Sequence, residues 1–118
     1  MMTEQEKTAG IARVCHEANR AYCLFLGDAS HACWDDAPQW QRDGAISVVL
    51  FHCANPEAGD SASHDNWLKD KERDGWRYGP MNNPKTKEHP RFVPFDQLPP
   101  EWQMKDRLFR SIVHALRG

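Results

Sequence analysis

Trp67, Lys71, Gly75-Trp76-Arg77-Tyr78-Gly79 and His89-Pro90-Arg91 gather indoles, a phenol, an imidazole and cations into one short stretch. On a helix, Lys71 lies four residues beyond Trp67 and shares its face. A flat ring beside an ammonium suits a ligand that carries a planar base and a phosphate. The ring stacks on the base and the lysine meets the charge. The same spacing also suits a tryptophan that merely anchors a polar helix to a core. Trp76 and Tyr78 alternate with small and charged residues, which suits filling the gap between a loop and its helices, or shaping the wall of a site. His89 and Arg77 are secondary candidates, with His89 read first as a hydrogen-bonded loop anchor.

Other reactive types are present without a recognisable pattern. Cys15-His16, His31-Ala32-Cys33 and His52-Cys53 pair metal-ligand types, but none has the spacing of a structural zinc site. No metal or cofactor is therefore expected. No nucleophile motif surrounds any of the four cysteines, and no phosphate-binding loop, dinucleotide fingerprint or metalloprotease helix occurs. Asp35-Asp36 reads better as a helix start than as a metal site.

These residues need elements to hold them. Thr3 with Glu6 forms a capping-box signature, and Ile11, Val14, Cys15, Ala18, Tyr22 and Phe25 follow at helical spacing. Gly27 is placed to stop that helix. A loop over 28–37 leads to a second helix, capped by Asp36 or Ala37 and running to about Ala54. Its expected face is Ile46, Val49, Leu50 and Cys53. Trp34, in the loop, suits an interface or a lid over the core. A third helix over about 63–74 ends at Gly75, a turn-rich loop follows to Pro90, and Arg91–Phe95 reads as a short extended segment. The last helix begins at Pro99-Pro100-Glu101, and Leu108, Phe109, Ile112, Val113 and Leu116 form its stripe. Leu108, Phe109, Ile112 and Leu116 are expected to be buried against the first two helices. Trp40 and Trp102, just inside helix starts, are expected to pack against each other's helices. The fold class is mainly α: about four helices, one aromatic loop and a short extended segment.

The order Trp67, Gly75-Trp76-Arg77-Tyr78-Gly79, His89-Pro90, Val93-Pro94-Phe95, Leu98-Pro99 and a last amphipathic helix resembles the ryanodine receptor repeat over roughly residues 60–116. The resemblance implies a helical repeat at 59–118, with residues 1–58 as a helical pair packed on it. It is closest in kind to the single-repeat bacterial and phage proteins. In the channels, adenine nucleotides can lodge between paired repeats against a tryptophan matching Trp67, with basic positions matching Lys71 and Arg91. The implied function is a small non-catalytic module, a sensor or sequestering protein for a nucleotide or nucleotide-derived signal. The implied ligand-binding set is Trp67, Lys71, Trp76, Tyr78 and Arg91. Because channel repeats pair about a pseudo-twofold axis, a single repeat implies a homodimer. A protein-interaction module using the aromatic loop and a small nucleotide hydrolase using His89 are the alternatives.

Composition sets the outer limits. At 118 residues the chain fits one modest domain, and its net charge of −2 gives no reason to expect duplex nucleic acid as a partner. The longest apolar stretch, 45–54, is too short to span a bilayer. The N-terminus has no apolar signal core, and the cysteines read as reduced thiols, so a cytoplasmic protein without membrane contact is expected.

Overall fold

The computed structural model describes residues 1–117. It is mainly helical, with four α-helices: α1 (Glu4–Phe25), α2 (Gln39–Ala54), α3 (Ala62–Arg73) and α4 (Pro100–Leu116). Single 3-10 turns occur at Trp34–Asp36 and Phe95–Gln97, and two short strands, β1 (Arg77–Tyr78) and β2 (Glu88–His89), pair in parallel. The chain divides into two units. One holds Met1–Glu57 with the chain from Arg107 onward, and the other holds Ala58–Asp106.

In the first unit, α1 starts as its sequence dictates. The Thr3 hydroxyl accepts from the Glu6 amide at 3.1 Å, and the Glu6 carboxylate accepts from the Thr3 amide at 3.3 Å. This reciprocal cap satisfies two amides that a helix otherwise leaves without partners. The helix ends where Gly27 takes φ +90, so that the Asp28 amide reaches back to the Cys23 carbonyl at 2.8 Å and the Gly27 amide to Leu24 at 3.0 Å. That is a Schellman closure, and glycine adopts its left-handed residue without the Cβ penalty.

The core of this unit joins Ile11, Ala12 and Cys15 of α1, Trp34 of the first 3-10 turn, Ala45 and Val49 of α2, and Val113 of α4, with Ile46, Phe109 and Ile112 packed against it. Trp34 is thus the lid. Its backbone N–H donates to Glu17 at 3.0 Å, His16 meets its ring edge-on, and the Arg42 guanidinium lies 5.6 Å from its centre.

Several expected faces are rotated. On α2 the buried residues are Ala45, Val49 and His52, while Leu50 and Cys53 are exposed. On α1, Val14 and Phe25 face solvent. On α4 only Val113 is fully buried: Leu108 is half-buried, and Leu116 is 45% exposed because it closes the last turn. Trp40 is 74% exposed, so it does not pack against another helix as expected. On α2, small Ala45 with Val49 and His52 takes the buried side and leaves Leu50 and Cys53 at its rim. The α2 cap also differs: Pro38 is the N-cap, because the 3-10 turn at Trp34–Asp36 uses up the acidic pair.

In the second unit, α3 closes at Gly75, whose φ is +88. The Trp76 amide donates to the Lys71 carbonyl at 2.9 Å and the Gly75 amide to Glu72 at 3.0 Å. This second Schellman closure turns the chain into β1. Arg91–Phe95, expected to be an extended segment, carries no strand; the two strands lie instead within the expected turn-rich loop, with Arg77 opposite Glu88 and Tyr78 opposite His89. Lys87 carries the turn between them at φ +57, and its ammonium donates to the Asp74 carbonyl at 2.7 Å, which caps α3 a second time. Gly79 is required by crowding: a Cβ there would lie 2.5 Å from Glu88 Cβ.

Candidate functional site

The second unit wraps its loop around Trp67. His64, one turn earlier on α3, lies nearly parallel to the indole at 5.6 Å and 22°. His89 of β2 approaches edge-on at 5.0 Å, and Phe92 tilts against it at 6.2 Å. Trp76 meets the other side of the cluster through His89 at 6.3 Å, and Phe95 meets His64 at 6.1 Å. Trp67 is thereby fixed, yet it keeps part of its surface in solvent. Edge-to-face and offset ring pairs of this kind add about 0.5–1.5 kcal/mol beyond area burial.

Hydrogen bonds set the two imidazoles. His64 is buried and donates from Nε2 to the Val93 carbonyl at 2.7 Å, which fixes its tautomer. His89 accepts the Arg91 amide at Nδ1, at 3.0 Å. A neutral imidazole that accepts at Nδ1 carries its proton on Nε2, so His89 presents a donor there.

The cations are arranged around these rings. Lys71 Nζ lies 4.6 Å from the centre of Trp76, and the Arg91 guanidinium lies 5.0 Å from that of Trp102. Both pairs have cation–π geometry. The helical spacing of Trp67 and Lys71 is therefore present, but the ammonium rests on the neighbouring indole. Burial holds the His89 pKa below 6.5, and the positive charges of Arg91 and Lys71 lower it further. Asp106 shows the opposite shift. Burial raises its pKa above 3.8, while His64, Arg91 and Lys105 oppose that rise.

The structure thus brings Trp67, Lys71, Trp76, His89 and Arg91 into one cluster. It places Tyr78 and Arg77 elsewhere. Tyr78 is 56% exposed and joins the cluster only through the backbone register of β1 with His89. Arg77 is exposed, and its Nε lies 4.0 Å from the Glu88 carboxylate. Sequence reasoning missed His64, Phe92, Trp102 and Asp106. His64 was legible as the residue three before Trp67 on the same helix face. Asp106 carried no signal, because an acid in a helix is ordinarily a solvated group. Burial pushes the Cys15 thiol up to about 12, which makes it a poor nucleophile. Among the described residues, no helix is long and apolar enough to cross a membrane.

No curated protein and no solved structure matches the chain. Residues 56–117, more than half of it, match the RyR domain, and this chain belongs to the RyR domain family.

Proposed function

We propose that the protein is a non-catalytic binding module for a planar anionic ligand of the nucleotide class, acting in the cytoplasm as a homodimer. The supporting observation is the setting of His89, at the centre of an aromatic cluster with the Lys71 ammonium and the Arg91 guanidinium beside it. Burial lowers its pKa first, and the charges of Arg91 and Lys71 lower it further. Cations that oppose protonation of a buried imidazole create a positive field that favours an anion. A phosphate bound there accepts from the Lys71 ammonium, from the Arg91 fork and from His89 Nε2. The base lies against the open surface of Trp67, with Trp76 as a wall.

Calorimetry against mononucleotides and cyclic dinucleotides tests this reading. Binding with full recovery of intact ligand supports the module. Loss of ligand during incubation would instead favour a nucleotide hydrolase. The second reading is a protein-binding surface on the loop, favoured by exposed Tyr78 and Met81. Failure of every nucleotide to bind, together with unchanged stability on their addition, would shift the weight to that surface.

A further inference from the structure

The C-terminal end of α1 carries a group of side chains that the RyR-matching region does not include. Cys23 sits in the last turn of the helix and Asp28 and His31 in the loop after it. One ligand atom from each lies within 4.8 Å of the other two. We propose that Cys23, Asp28 and His31 form a binding site for one zinc-class divalent cation, with a fourth position open to water.

The sequence spacing, Cys-x4-Asp-x2-His, resembles no common zinc pattern, and the backbone explains why it works. Gly27 in the left-handed region reverses the chain, and the Asp28 amide is tied to the Cys23 carbonyl at 2.8 Å. This sets the carboxylate back over the cysteine. Its Oδ1 accepts the Ser30 amide at 2.9 Å, so the side chain is aimed before any ion arrives. The His31 carbonyl accepts from Arg20 Nε at 3.3 Å, which fixes the third residue from outside the group.

His31 Nδ1 lies 3.8 Å from Asp28 Oδ2, an ion-pair separation that also suits two ligands of one ion. Two ligands each about 2.0–2.2 Å from a shared zinc stand no more than about 4.3 Å apart. Thiolate, imidazole and carboxylate together are a zinc-type donor set, too soft for calcium or magnesium.

Cys23 is 0% exposed, so an ion bound at its sulfur is held away from bulk solvent on that side. Asp28 keeps 44% of its side chain in solvent and gives an ion its way in. On binding, the Cys23 thiol releases its proton to water as the metal–sulfur bond forms, so affinity rises with pH. The ion joins the helix end to the following loop, which leads to the core residue Trp34.

Metal-stripped protein, kept reduced, is titrated with cobalt(II), which takes zinc sites and gives a thiolate-to-cobalt absorption band. The expected result is a band that saturates at one ion per chain and disappears when zinc is added. Asp28→Ala and His31→Ala each weaken cobalt binding by at least about a hundredfold, the upper end of what losing an outer-shell partner costs. Cys23→Ser removes the band, and Cys33→Ser leaves it unchanged. Asp28 is partly exposed, so its variant keeps the site testable if Cys23→Ser fails to fold. No band in the wild type would overturn the proposal and leave an Asp28–His31 ion pair only. So would a band that depends on Cys33 or is insensitive to Asp28→Ala.

Discussion

At the scale of single residues, His89 connects the charge of the cluster to the proposed binding. Its folded pKa lies below 6.5, first through burial and then through Arg91 and Lys71. The fold therefore favours the neutral ring. Its contribution to stability is complete above pH 6.5 and is lost as the pH falls through the lowered folded value. A bound phosphate acts in the other direction. It offsets the charges of Arg91 and Lys71, raises the His89 pKa and makes binding take up a proton. Affinity for a phosphate-bearing nucleotide is expected to strengthen between about pH 7.5 and about pH 6, the range in which a histidine switches. Calorimetry across that range should show the rise in wild type and a flatter profile in His89→Gln. A wild-type profile as flat as the variant's would remove His89 from the site. Trp67→Ala is expected to weaken binding roughly ten- to a hundredfold, as the loss of one stacked base does at about 1–3 kcal/mol. Trp76→Ala is expected chiefly to lower the melting temperature. Equal binding by Trp67→Ala and wild type would make that indole a packing residue.

Asp106 gives a prediction of the opposite sign. Its pKa is raised by burial against the pull of His64, Arg91 and Lys105. A carboxyl with a raised folded pKa stabilises fully below its unfolded value of 3.8 and loses that contribution as the pH rises through the folded value. Ionised Asp106 therefore weakens the fold at neutral pH. Asp106→Asn should raise the denaturant midpoint at pH 7, and the gain should vanish below pH 3.8. A lower midpoint at pH 7 would mean that attraction to His64 and Arg91 outweighs burial.

At the scale of elements, the helices were legible because their signals are local. Thr3 with Glu6, Gly27 and Gly75 act over one turn, and all three mark helix ends as expected. The faces were less legible, because a hydrophobic stripe shows only which side is apolar. Ala45, Val49 and His52 are buried and Leu50 is exposed because the neighbouring elements select the small side of α2. The candidate site was legible in Trp67, Lys71, Trp76, His89 and Arg91, which share a local motif. It was not legible in Phe92, Trp102 and Asp106, which reach it through tertiary folding. Three substitutions test the packing. Val113→Ala removes a fully buried side chain and should cost about 2 kcal/mol, whereas exposed Leu116→Ala should cost less than about 0.5 kcal/mol. Gly79→Ala drives a Cβ to 2.5 Å from Glu88 Cβ and should cost about 1–3 kcal/mol, the usual range for overpacking. Urea unfolding of the three variants measures each difference, and similar losses for Val113→Ala and Leu116→Ala would contradict the assigned core.

At the scale of the whole molecule, the question is how many chains complete one site. In the ryanodine receptor repeats that this chain resembles, two repeats pair about a pseudo-twofold axis. This chain has one matching region, at residues 56–117. A symmetric pair of chains is the simplest way to restore that arrangement, since twofold dimers are the commonest closed assembly. The surface has material for such contacts: Phe25, Trp40, Leu50, Tyr78 and Met81 are all exposed. Large apolar side chains of this kind are enriched where proteins meet. Light scattering at micromolar concentration is expected to give twice the 13.6 kDa chain mass. If the ligand lies between two copies, it binds the dimer better than the monomer and must shift the equilibrium toward the dimer by mass action. Dilution until the chain dissociates, followed by addition of a binding nucleotide, should then raise the mass again. A chain that stays monomeric with saturating ligand would place the whole site within one protomer, and the Trp67→Ala result would then decide the site on its own.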